Sequence, residues 1–193
     1  MDQEIQTNLP NIYPDLLMKS EEIGFNMPSD KYIGSLLKTL VASKPRGNFL
    51  ELGTGMGLSL AWMVDGMDSS SRITSVDNNE DLIQIAKEFF KGSTGLRLIC
   101  KDGNEWISDY RGPKFDLIFA DAWPGKYSLL DLTLGLLKVG GFYVIDDMRQ
   151  QPNWPEGHEQ KVAELIEILE TRKDFTITKM DWSTGVIVAV KIK

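Results

Sequence analysis

The chain has one cysteine, Cys100, and one histidine, His158, among 193 residues. A lone thiol forms no internal disulfide, so the covalent staples of a small secreted domain are excluded and cytoplasmic residence is the expectation. Basic residues are in deficit, 21 Lys and Arg against 28 Asp and Glu, for a net charge of −7. That balance argues against non-specific binding to nucleic acid or to an anionic membrane, since both favour basic surfaces. No apolar run is long enough to span a bilayer. Residues 1–23 have neither a basic start nor a long apolar stretch, so no signal peptide is expected. Internal repeats, low-complexity tracts and linkers are also lacking. One domain over residues 1–193 is the expectation, long enough to bury a sizeable core.

What is present is alternation. Residues 1–28 are polar, carry Pro10, Pro14 and Pro28, and read as an N-terminal extension with one short helix near 13–22 on the acceptor side of any site. Ser29 or Asp30 offers an N-cap for a helix reaching about 42. Strands then read at 48–52, 72–76, 96–100, 115–120 and 142–145, with helices between them at 58–66, 81–91, 105–110 and 127–137. The run 115–120 is apolar enough to be central in a parallel sheet. After a loop and a helix over 158–172, two β-rich runs, 174–180 and 186–192, are joined by five residues, which suits a hairpin and not a crossover. The expected fold is a three-layer α/β Rossmann-like sandwich, its seven-stranded sheet mostly parallel with an antiparallel last strand.

The densest signal is Glu51-Leu52-Gly53-Thr54-Gly55-Met56-Gly57-Leu58-Ser59, between the first strand and its helix. Glycines there let the backbone turn sharply and approach a ligand at the carboxyl end of a parallel strand. The spacing is G-x-G-x-G, not the G-x-G-x-x-G of dinucleotide sites, which counts against a nicotinamide-dependent oxidoreductase. Asp77 ends the second strand, where a carboxylate can accept both hydroxyls of a ribose or cap the following helix.

The stretch from Glu51 to Gly57 resembles the first motif of class I S-adenosylmethionine-dependent methyltransferases. The resemblance implies that the turn cradles the methionine part of S-adenosyl-L-methionine, that Asp77 holds the ribose, and that Asp102 of Lys101-Asp102-Gly103-Asn104 faces the adenine. Met27, Asn78, Gly103 and Ser59, beside these motifs, complete this group with Asp121 and Trp123.

Asp121, Asp146 and Asp147 follow the fourth and fifth strands. Carboxylates brought together there repel one another unless protonated or bridged by a cation, and oxygen ligands suit Mg2+, Mn2+ or Ca2+. The other reading makes them turn caps and cofactor contacts. The pattern resembles the cation-dependent O-methyltransferases of the catechol and caffeoyl-CoA type. That resemblance makes Asp121, Asp146 and Asp147 the metal ligands, with Asp-Asp replacing the family's Asp-Asn. It also implies methyl transfer to a small-molecule hydroxyl, and a homodimer. The family's catalytic lysine corresponds to Pro124, leaving Lys126 as its substitute. A metal-independent methyltransferase and a non-catalytic cofactor-binding module stand as alternatives.

The loop Arg149-Gln150-Gln151-Pro152-Asn153-Trp154-Pro155-Glu156-Gly157-His158 should lie over the cleft. His158 reads either as a base titrating near neutral pH or as a helix-start residue on an exposed loop, with Asn153 or Glu156 helping to cap. Trp154 and Trp123 are divided between site and packing roles. Trp62 and Trp106 read as packing residues, and Cys100 as buried and inert.

Overall fold

A computed structural model describes residues 9–151 and 154–193. Residues 1–8, and Pro152 and Asn153 of the long loop, lie outside it.

Helix α1 (Tyr13–Glu22) has a proline in its first turn, where no backbone donor is lost. Its Tyr13 and Leu16 are buried, and Tyr13 meets Trp62 edge-on with ring centroids 5.5 Å apart. The polar extension is thus anchored by its few apolar side chains. Helix α2 (Lys31–Ala42) is capped by Asp30, whose carboxylate accepts from the backbone N–H groups of Tyr32 and Ile33 at 2.8 and 3.0 Å.

The alternation then runs β1 (Asn48–Leu52), α3 (Leu58–Gly66), β2 (Arg72–Asp77), α4 (Glu80–Phe89), β3 (Leu96–Cys100), α5 (Gly103–Asp109), β4 (Phe115–Ala120), α6 (Leu130–Gly135), β5 (Leu137–Ile145), α7 (His158–Thr171), β6 (Phe175–Met180) and β7 (Val186–Lys191). The seven strands form one sheet in the order β3-β2-β1-β4-β5-β7-β6. Strands β1 to β5 are parallel, and β7 runs antiparallel between β5 and β6. This is the expected sandwich. Side-chain alternation along β1 and β4 feeds two cores. Phe49, Leu117 and Phe119 pack with α1, α2 and α3, whereas Leu50, Ile118 and Ala120 pack with α5, α6 and α7.

Three readings are corrected. Helix α6 is shorter than 127–137, because residues 124–128 form a turn closed by a bridge between Pro124 and Ser128. Strand β5 begins at Leu137, not 142, and shifts register against β4 between Phe115 and Leu117. Cys100 is exposed, because β3 is the outer strand of the sheet. Trp62 and Trp106 are buried, as read. Among the described residues no helix is long and apolar enough to cross a membrane.

Candidate active site

Strand order reverses direction between β1 and β4, and an open α/β sheet binds its ligand beyond the carboxyl ends of such a pair. The turn after β1 forms the floor of that crevice. Gly53 has φ +102°, and a Cβ on it would stand 3.1 Å from both the Ala122 Cβ and the Asp121 carbonyl oxygen. Gly57 has φ +88° and starts α3; a Cβ there would come within 2.7 Å of the Phe90 ring. The spacing therefore serves steric demands of the turn itself, which leave a cradle of bare backbone.

Beneath the turn, Glu51 is fully buried. It accepts from the Ser59 hydroxyl at 2.6 Å and the Ser75 hydroxyl at 2.5 Å. Burial pushes its carboxyl up to about 8, against the opposing pull of the two serines. Asp77 is not the cap of α4. That role falls to Asn79, which accepts from the Leu82 N–H at 3.1 Å. The two Asp77 oxygens accept instead from the N–H groups of Gly55 at 2.8 Å and Asn79 at 2.9 Å, tying the glycine turn to the end of β2. Asp102 caps α5 through the Glu105 N–H at 3.0 Å.

The crevice has a volume of about 660 Å3. It brings together Met27, Gly53, Thr54, Gly55, Ser59, Asp77, Asn78, Asp102, Gly103, Asp121, Trp123, Lys126, Asp146, Asp147 and His158. Of the predicted site residues, Glu51 and Gly57 stand outside its lining. The glycine turn and the Asp77 and Asp102 carboxylates line the same crevice.

The other end is aromatic. The Trp154 ring lies 4.5 Å, the Tyr127 ring 5.2 Å and the Trp123 ring 6.0 Å from the His158 ring. His158 Nε2 and the Tyr127 hydroxyl are 3.1 Å apart, and Nδ1 is buried with no hydrogen-bond partner among the described residues. His158 does start α7, but these rings enclose it, so the exposed-loop reading is corrected. Burial and the nearby Lys126 charge lower its pKa, so the imidazole is neutral at pH 7.

Between the two ends sit the three aspartates and Lys126. Asp121 accepts from the Ser29 hydroxyl at 3.2 Å. Asp146 accepts from the Thr184 hydroxyl and, at 2.7 Å, from the Asp147 N–H. Asp147 accepts from Trp154 Nε1 at 2.9 Å, with its backbone in the left-handed region at φ +59°. Burial raises both Asp121 and Asp146 above the usual carboxylate range; Asp146 and Asp147 add to it at Asp121. Lys126 is buried, and its ammonium donates to the Asp146 carbonyl oxygen at 2.6 Å.

This set does not fit a divalent cation. The three carboxylates address three different partners, and among the described residues no group of three or more Asp, Glu, His or Cys side chains is arranged to hold a metal. A positive charge already stands among them. The resemblance assigns Asp121, Asp146 and Asp147 to a metal, whereas in this arrangement they bind Ser29, Thr184 and Trp154.

Sequence reasoning missed Phe25 and Ser29, which line the crevice ahead of α2, and Thr184, which reaches it from the β6–β7 connection. It also missed Tyr127, placed by the turn that shortens α6. No local pattern marks these residues; they are brought in by the chain's path over the sheet.

A family model described as O-methyltransferase matches residues 16–181. A Mycobacterium ulcerans protein provisionally named an O-methyltransferase is 25% identical over 169 residues, 82% of this chain and 75% of its own length. A similarly named Mycobacterium leprae protein is 31% identical over 110 residues, 55% of this chain and 49% of its own length, so the chain spans about half of that relative. In solved structures, the O-methyltransferase TomG of Streptomyces achromogenes, in complex with S-adenosylmethionine, superposes with a TM-score of 0.84 at 20% identity, covering 98% of this chain and 93% of its own. A Bacillus cereus O-methyltransferase in complex with S-adenosylhomocysteine gives 0.80 at 19%, covering 97% and 93%. These two likenesses are of fold, whereas the family model covers most of the sequence, and by that match the chain belongs to the O-methyltransferase family.

Proposed function

We propose that this chain transfers a methyl group from S-adenosylmethionine to a hydroxyl oxygen of a small molecule. The observation that carries the reading is one crevice with two ends, a glycine cradle beside Asp77 and an aromatic pocket beside Asp121. When bound, S-adenosylmethionine supplies an electrophilic methyl carbon on a sulfonium sulfur. The glycine turn would hold its methionine part, Asp77 its ribose and Asp102 its adenine. Trp123 and Tyr127 line the acceptor end and would restrict the orientation of whatever enters, and alignment of that kind contributes roughly 7–11 kcal/mol in well-oriented reactions. Asp121, raised by burial, and neutral His158 are the groups that can take a hydroxyl proton near neutral pH. An acid-rich crevice repels polyanions, which supports a small molecule over nucleic acid as the acceptor.

Calorimetry with S-adenosylhomocysteine and NAD tests the cofactor half. Binding of the first and not the second is expected, and binding of NAD alone would end the reading. Transfer of a labelled methyl group to members of a panel of hydroxylated small molecules tests the other half. Tight cofactor binding with no transfer to any member would favour a non-catalytic module.

A further inference from the structure

The function proposed above leaves two of the three aspartates, Asp146 and Asp147 at the end of β5, without a role, and the position of Lys126 supplies one. The residue is 4% exposed, yet it lines the crevice. Asp121 approaches from the end of β4, and Asp146 and Asp147 from the end of β5. All three act on the ammonium electrostatically. Among the described residues Lys126 Nζ makes one hydrogen bond, to the Asp146 carbonyl oxygen. An ammonium carries three donors, so two remain for a ligand in the crevice. The ammonium also stands 5.1 Å from the centre of the Tyr127 ring, within range of a cation–π contact.

A buried ammonium with unused donors, set among carboxylates between the glycine cradle and the aromatic end, has the properties a divalent cation would bring: positive charge, and capacity to bind oxygen. It differs in needing no converging ligands, and these carboxylates do not converge. We propose that the Lys126 ammonium is the built-in cation of this site, holding the acceptor oxygen and taking the place of a divalent ion. This rests on the methyltransferase reading above. Asp121, Asp146 and Asp147 then compensate the charge of Lys126. Burial pushes its pKa down, and Asp121, Asp147 and Asp146 oppose that fall.

The test uses the full chain saturated with S-adenosylhomocysteine, with Mn2+ as the probe ion followed by electron paramagnetic resonance. Wild type should bind Mn2+ only at millimolar concentration. Lys126→Met should bind it about tenfold more tightly or better, because one positive charge has left a partly buried acidic cluster. Its affinity for S-adenosylhomocysteine by calorimetry should stay within about threefold of wild type, since the hydrogen bond of the Lys126 ammonium goes to Asp146 and not to the glycine turn. Lys126→Gln, which keeps a polar group of similar reach, serves if the methionine variant does not fold. Micromolar Mn2+ binding by wild type overturns the proposal, as does unchanged Mn2+ binding by a variant that still binds the cofactor product.

The oxygen-binding half is read with 4-nitrocatechol, whose absorbance reports its ionisation. With EDTA present, wild type should lower the pH at which the probe ionises, and Lys126→Met should lose that shift. Absence of the shift, or its appearance only after Mg2+ is added, overturns the proposal. Failure of wild type to bind S-adenosylhomocysteine at all would instead count against the methyltransferase reading.

Discussion

Glu51 shows how a single side chain sets a pH dependence. It is buried against Ser59 and Ser75, and burial raises its carboxyl from an ordinary 4.5 to about 8. Across that interval the folded chain holds a proton that the unfolded chain has released, so stability falls as pH rises from about 4.5 through 8. The thermal midpoint of the ligand-free protein should therefore decline over this window, and Glu51→Gln should flatten that part of the decline. A variant that declines as steeply as wild type would assign the effect elsewhere. The same titration bears on the ligand. Near pH 6 Glu51 is neutral, and as it ionises the site gains a negative charge that favours the sulfonium cofactor over its uncharged product. The affinity ratio of S-adenosylmethionine to S-adenosylhomocysteine should rise between pH 6 and 8.5 in wild type, and calorimetry at intervals across that range should show a smaller rise in Glu51→Gln, where the ionisation of Asp121 near 7 remains. Asp147 carries a different strain. Its φ of +59° suits asparagine as well as aspartate, and its charge adds to the repulsion at Asp121. Asp147→Asn retains an acceptor for Trp154 Nε1 and removes that charge. It also withdraws a carboxylate that compensates Lys126, so the two effects oppose each other and a change within about 0.5 kcal/mol, read as about 2 °C or less in the thermal midpoint, is expected.

At the scale of elements, the turn from β1 into α3 is the least tolerant piece. Gly57→Ala places a methyl group against Phe90 at a backbone angle that disfavours it, and a loss of about 1–3 kcal/mol follows. S-adenosylhomocysteine affinity should fall with it, because Thr54 and Gly55 are held by the same turn; thermal melts with and without the ligand separate the two effects. This turn was legible in the sequence because glycine spacing reports backbone conformation directly. So were α2, whose cap was narrowed to Ser29 or Asp30, and the final hairpin, whose connection is too short for a crossover. The start of β5 was not, because Lys138 and Val139 are exposed and Gly140 and Gly141 interrupt the apolar run that marks a parallel strand. Cys100 was misread for a related reason: an outer strand has the composition of an inner one but only one neighbour to cover it. The acidic cluster shows the deeper limit. Strand order brings Asp121, Asp146 and Asp147 to one cleft, and the sequence carries that order. Where each carboxylate points depends on Ser29, Thr184 and Trp154, which reach it from three distant segments.

Those distant segments define how the whole molecule should respond to its ligand. The start of α2 and the β6–β7 connection meet beside the crevice, through Ser183 to Asp30 and through Tyr32 packed edge-on against Trp182 at 5.3 Å. Ser29 and Thr184 then carry that junction to Asp121 and Asp146. The crevice is therefore closed on one side by chain that contributes little to the sheet. Chain of this kind belongs to the low-stability end of a fold and gains most from a bound ligand. At a hundred times its dissociation constant, S-adenosylhomocysteine should add about 2.7 kcal/mol to folding stability, which for a chain of this size is a rise of about 5–11 °C. Hydrogen exchange gives the spatial readout. Amides at 25–30 and 182–184 should slow together with those at 53–57 when the ligand binds. Protection at 53–57 alone would show that the strap is not coupled to the cofactor end. Trp182→Ala, which breaks the aromatic contact between the two segments, should leave exchange at 53–57 slowed by ligand but uncouple 25–30 from 182–184.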